Sequence, residues 1–250
     1  MPFTHPTPQT LTFALAKSDV AANRESAKDE DRQVRAQNQV ALVALCELVG
    51  PAEQQQQQQQ LQQPSIPTQI IVCTTHLKAT KNIVGERTRL LEVNQLLGSV
   101  QRLFTAKRTE ARSKGGADPL ILITGDLNAA PDERSTGFAA LAYAAVKESA
   151  LGLRSVLNDD LDDPESVWTT WKARNKKGKE SIAKSCIDYI LYRPLEAAEA
   201  SAEGIRTGLR AKAALGLFTE AEIGEGLLPS ARYPSDHLAI AADLEVLHQR

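Results

Sequence analysis

Four short strings carry residue types suited to one chemistry: Thr75-His76-Leu77-Lys78, Gly125-Asp126-Leu127-Asn128, Asp188-Tyr189-Ile190 and Ser235-Asp236-His237. Together they offer three carboxylates, two imidazoles, one carboxamide and one ammonium. Carboxylates can hold a hard divalent cation and orient water, while His, Asn and Lys stabilise phosphoryl oxygens. Asp126, after a buried run and a glycine, can orient or deprotonate water, bind metal, or simply cap a turn. Asn128 can donate its amide N–H to a phosphoryl oxygen. Asp236 can act at a metal or orient the His237 imidazole, which can bind metal, accept a proton or stabilise negative charge. His76 and Lys78 share strand-end parity, so both are expected on one face. Asp188 lies amid apolar neighbours and needs a partner, catalytic or structural. Trp168 and Trp171 read as core residues, although Trp171 beside Lys172 and Arg174 could stack and meet phosphate.

Each string lies at or just past an apolar, β-branched run, where a strand ends and a loop begins. Gln69–Thr75 and Leu120–Thr124 are continuous enough for strands buried on both faces. Val40–Leu48, Val167–Trp171, Ile187–Tyr192 and Leu238–Val246 read as further strands. Leu90, Val93, Leu96, Leu97 and Val100 recur at helical spacing, so Glu86–Phe104 is expected to be a helix with a charged extension to Lys114. Pro131 suits the first turn of a second helix running to about Lys147. Arg174–Lys184 is expected to be a basic loop. Interleaved strands and helices favour an α/β or layered α+β class. Residues 1–37 are expected to be irregular, and the glutamine-rich stretch within residues 51–66 a solvated insertion.

The 250 residues suffice for one sizeable domain, and 42% hydrophobic content for a core. A formal net charge of −2 argues against sequence-independent binding of long duplex nucleic acid. Cys46, Cys73 and Cys186 sit in apolar runs without metal-type spacing and read as reduced core thiols. No run is long enough to span a membrane, and the N-terminus lacks a signal-peptide pattern. These features point to an intracellular protein, expected in the cytoplasm, with nucleus and mitochondrion open.

The four strings, in this order, resemble the endonuclease/exonuclease/phosphatase superfamily. Within it the similarity is to the nocturnin-type branch, which includes poly(A) deadenylases. Thr169-Thr170-Trp171-Lys172-Ala173-Arg174, Phe218-Thr219-Glu220-Ala221-Glu222-Ile223-Gly224 and Tyr233-Pro234-Ser235-Asp236-His237 extend the likeness over residues 38–246. The resemblance implies a two-sheet α/β sandwich and a Mg²⁺-dependent phosphoesterase, with Mn²⁺ as a possible substitute. It implies Asp126 as the water-orienting group, with Asn128 and His76 on the phosphoryl oxygens. Asp236 and His237 would lie at the metal and scissile phosphate, with Asp188 supporting them. Lys78, Trp171 and Arg174 would meet the substrate, a nucleotide or single-stranded RNA. NADP(H), through its 2′-phosphate, is favoured over a poly(A) tail. Two departures stand out. Thr80 occupies a place where nocturnin-type sequences tend to carry a basic residue. Family members also carry an upstream Asn and a Gln-Glu whose glutamate is a principal Mg²⁺ ligand, and no Gln-Glu dipeptide occurs here. On that comparison the chain matches the C-terminal two-thirds of the domain. A catalytically inactive nucleotide- or partner-binding protein is therefore the competing expectation.

Overall fold

In the computed structural model the described residues are 41–48, 68–131, 137–157, 167–176, 179–195, 204–224, 227–231 and 233–249. Residues 1–37 and the glutamine-rich stretch within 51–66 lie outside them. The central element is a five-stranded sheet of order β1-β2-β3-β7-β4. It comprises β1 (Ala41–Leu48), β2 (Thr68–His76), β3 (Leu120–Asp126), β4 (Arg154–Ser155) and β7 (Asp188–Tyr192). Only β2 and β3 run parallel; β1 is antiparallel to β2, and β7 to β3 and β4.

The strands of the sheet centre are apolar on both sides because both sides are covered. Ile71, Cys73, Ile121, Ile123, Tyr189 and Leu191 pack with Val93, Leu97, Val100 and Phe104 of helix α1 (Ile83–Ser113). The alternate residues Ile70, Leu120 and Tyr192 meet Leu209, with Val72, Leu122, Leu244 and Val246 packed around them. Those contacts come from a two-stranded sheet of β8 (Arg206–Ala214) and β9 (Ala242–Gln249). The layers are thus helix, five-stranded sheet and second sheet, an α/β sandwich as expected. Burial raises the Cys73 and Cys186 thiols to about 12, consistent with inert core positions.

Several expected boundaries move. Helix α1 absorbs the charged extension and ends at Ser113, where Glu110 pairs with both Lys107 and Lys114. Its end is closed by Gly115 and Gly116 N–H groups bonded to the Arg112 and Ala111 carbonyls. The second helix, α2 (Leu141–Lys147), starts ten residues after Pro131. Gly137 at φ +76 is incompatible with a helix continuing through it. The expected basic loop is a hairpin of β5 (Thr170–Lys176) and β6 (Lys179–Ser185), so cross-strand pairing overrides the poor strand propensity of its lysines. Strand β9 begins at Ala242 rather than Leu238. The segment before it instead docks on β5, through the Leu238 N–H to Thr169 carbonyl bond and a bridge between His237 and Thr170. A short capped helix, α3 (Glu220–Ile223), completes the described elements.

Candidate active site

Register assembles the site. His76 is the Cα partner of Asp126, and Asp126 is the partner of Asp188, so the three form a row across β2, β3 and β7. Opposed residues in paired strands share a face. The row therefore lies on the side facing the β8–β9 sheet, beyond its apolar cover. Gly125 makes this close packing possible: its φ is +138, and a Cβ there would lie 2.0 Å from the Thr75 carbonyl oxygen. Past β3, Asn128 adopts the left-handed conformation (φ 49), and its N–H bonds to Asp126 Oδ1 at 2.7 Å. Its side-chain Nδ2 donates to the Leu77 carbonyl at 3.0 Å, tying the β2 and β3 loops together.

His237 reaches this row from the docked segment. Its Nδ1 lies 2.9 Å from Asp188 Oδ2 and 3.2 Å from Oδ1. Ligand atoms of Asp126, Asp188 and His237 all fall within 4.8 Å of one another. His76 Nε2 approaches Asp126 Oδ2 at 3.4 Å, and its side chain is 68% exposed. Burial holds the Asp126 carboxyl above its ordinary range; the Asn128 N–H opposes this and the Asp188 charge adds to it. Two neighbouring carboxylates, one reluctant to ionise, form a site that a proton or a cation would relax. Asp126 and Asp188 supply the hard oxygens that a divalent cation of the Mg²⁺ type uses, and the His237 imidazole stands beside them.

Asp236 is adjacent in sequence but turned aside. Its Oδ2 accepts from Lys172 Nζ at 2.5 Å and lies 4.0 Å from His237 Nε2, outside the group of converging ligand atoms. The Lys172 hydrogen bond holds its carboxyl below the ordinary range. Lys78 follows the end of β2. Its N–H donates to Glu92 Oε2 and its carbonyl accepts from Arg89, so the loop is clamped at the backbone. Trp171 corrects the expectation of a substrate contact. It is only 7% exposed and packs with Trp168, Leu228 and Leu238, and Lys184 Nζ stands 4.6 Å from its ring centroid. A cleft-side stacking platform needs an open face, which this ring lacks. The Arg174 side chain lies outside the described residues. Sequence reasoning named Lys172 only as a phosphate contact beside Trp171, not as the partner of Asp236, and passed over the buried Arg89–Glu86 pair. Arg89 also donates to the Thr80 carbonyl, and Glu86 Oε1 accepts from the Ala142 N–H, so the pair couples the His76 loop to α2. A charged pair at i, i+3 facing an apolar helix stripe was the available signal.

The model of the Endonuclease/Exonuclease/phosphatase family matches residues 20–237, and the chain belongs to that family. Nocturnin of Xenopus laevis is 35% identical over 180 residues, 70% of this chain and 37% of that protein. Nocturnin of Homo sapiens is 32% identical over 178 residues, 70% of this chain and 33% of its own length. The chain thus spans about a third of these relatives. The human Nocturnin catalytic domain with bound sulfate superposes with a TM-score of 0.50 at 24% identity, over 84% of this chain and 54% of that one. ANGEL2, a 2′,3′-cyclic phosphatase, gives 0.50 at 21% identity, over 85% and 62%. These likenesses establish the fold. No helix among the described residues is long and apolar enough to cross a membrane.

Proposed function

We propose that this chain is a metal-assisted phosphoesterase that hydrolyses a nucleotide phosphate. The observation that carries the reading is the convergence of Asp126, Asp188 and His237 within 4.8 Å at one end of the sheet. Asp126 and Asp188 would hold the divalent cation, Mg²⁺ by the hardness of their oxygens. When bound, it would neutralise charge on a phosphoryl oxygen. The chain's own groups do the rest. Asp126, kept partly desolvated, orients water or takes its proton. His237, oriented by Asp188, exchanges a proton through Nε2. His76, at the exposed end of the row, faces phosphoryl oxygens. The Lys172–Asp236 pair forms the rim beside His237.

For substrate, a compact phosphate such as the 2′-phosphate of NADP(H) suits the chain better than a poly(A) tail. Binding a long single strand uses a basic track interleaved with stacking aromatics. Only 4% of the residues are aromatic, and Trp168 and Trp171 are committed to the core. The free cysteines Cys46, Cys73 and Cys186 favour an intracellular setting. Phosphate release from NADP(H) and shortening of poly(A), measured on one preparation with Mg²⁺ or Mn²⁺, test it. Release from NADP(H) at the greater rate is expected. Efficient poly(A) shortening with inert NADP(H) would transfer the assignment to the deadenylases, and nucleotide binding without turnover to an inactive binding protein.

A further inference from the structure

Thr169 is 0% exposed, and its hydroxyl has one proton to give and two lone pairs to fill. Two oxygens compete for the proton: Asp188 Oδ2 at 2.6 Å and the Ser185 carbonyl at 3.5 Å. Distance decides for the carboxylate. The lone pairs accept the Ile187 and Asp188 N–H groups, both at 3.1 Å. The same residue's carbonyl accepts the Leu238 N–H at 2.7 Å. Thr169 therefore grips the backbone of Asp188, its carboxylate, and the peptide that follows His237. A carboxylate is an acceptor only, so the short Asp188–His237 contact requires the imidazole hydrogen on Nδ1.

We propose that Thr169 is a positioning residue: it fixes the rotation of the Asp188 carboxylate, which selects the Nδ1–H tautomer of His237 and leaves Nε2 as the nitrogen that can accept a proton. This rests on the reading of Asp188 and His237 as working groups of a phosphoesterase. Without the hydroxyl, Asp188 loses its anchoring donor and two buried amides lose their acceptor, so the carboxylate is free to turn from Nδ1.

The test is the tautomer of His237 in the full chain, read from ¹⁵N imidazole resonances where the ring is neutral. Thr169→Val, which preserves shape, is expected to raise the Nε2–H form by about tenfold relative to Nδ1–H, the scale of one lost hydrogen bond. Thr169→Ser, which restores the hydroxyl, is expected to keep the native tautomer. A valine variant that remains Nδ1–H would overturn the proposal. If valine prevents folding, Thr169→Cys, with only a weak S–H donor, is read in its place, and a native tautomer there overturns it equally. Phosphate release by the unaltered chain separates the two claims. A tautomer that responds in a chain that releases no phosphate removes the phosphoesterase reading alone. An indifferent tautomer in an active chain removes the positioning role alone.

Discussion

Asp126→Asn separates what the carboxylate does for the reaction from what it costs the fold. The amide keeps an oxygen for the Asn128 N–H at 2.7 Å, so the turn after β3 should persist. What is lost is the charge. That charge is held in a partly buried place beside Asp188, and the Asp126 carboxyl is raised accordingly. The sign follows by linkage. A carboxyl with a folded value above its unfolded one favours the folded state at acid pH, and loses that contribution as pH rises through the folded value. At neutral pH the ionised side chain therefore opposes folding. Asparagine removes that opposition while giving back part of a charge-assisted hydrogen bond. The two terms are similar, so stability at pH 7 should change by no more than about 1 kcal/mol, the scale of one net hydrogen bond. The difference should shift against the variant as pH falls below the carboxylate range. Phosphate release should drop on the order of 10²–10⁴-fold, the scale of a lost general acid or base. Denaturant melts at two pH values, run beside a phosphate-release assay, measure both. Near-normal turnover would remove Asp126 from the chemistry. A loss of several kcal/mol at neutral pH would refute the electrostatic argument.

Other outcomes follow from the same geometry. Among the described residues the proposed cation site rests on the two carboxylates of Asp126 and Asp188. Mg²⁺ alone should therefore bind weakly by calorimetry, and tight stoichiometric uptake without substrate would point to a ligand outside this set. Arg89→Met leaves the buried Glu86 carboxylate without its partner and should cost about 3–5 kcal/mol in denaturant melts. Adding Glu86→Leu should recover much of that cost, and an additive double variant would contradict the coupling.

The parts of the fold legible in the sequence are those with unbroken local patterns. The β-branched runs of β2 and β3 announce strands buried on both faces, and the apolar stripe of α1 announces its packing side. What escaped detection depends on partners distant in sequence. Strand β8 has few β-branched residues, and its pairing with β9 stabilises it. The hairpin of β5 and β6 is hidden by its lysines, which read as a solvated loop. The α2 boundary turns on the conformation of one glycine, which composition alone does not disclose.

The candidate site was legible in its members and not in its wiring. His76, Asp126, Asn128, Asp188 and His237 stand out as polar residues at the ends of apolar runs, and the structure gathers all five. Asp236 and His237 look like one unit because they are neighbours in the chain. Their side chains nevertheless part: His237 goes to Asp188 at 2.9 Å, and Asp236 to Lys172 at 2.5 Å. Trp171 and Lys172 part in the same way, one into the core and one to the rim. Residues 169–172 and 236–238 meet through the Thr170–His237 bridge and the Leu238 N–H to Thr169 carbonyl bond. Within each string neighbouring side chains reach different partners, so a motif read as contiguous is divided between two environments. The working unit here is the pairing of residues 169–172 with 236–238. Thr169 holds Asp188, which β7 brings to this pairing, and Lys172 holds Asp236, so each of the two acids flanking the imidazole is tied to the same segment.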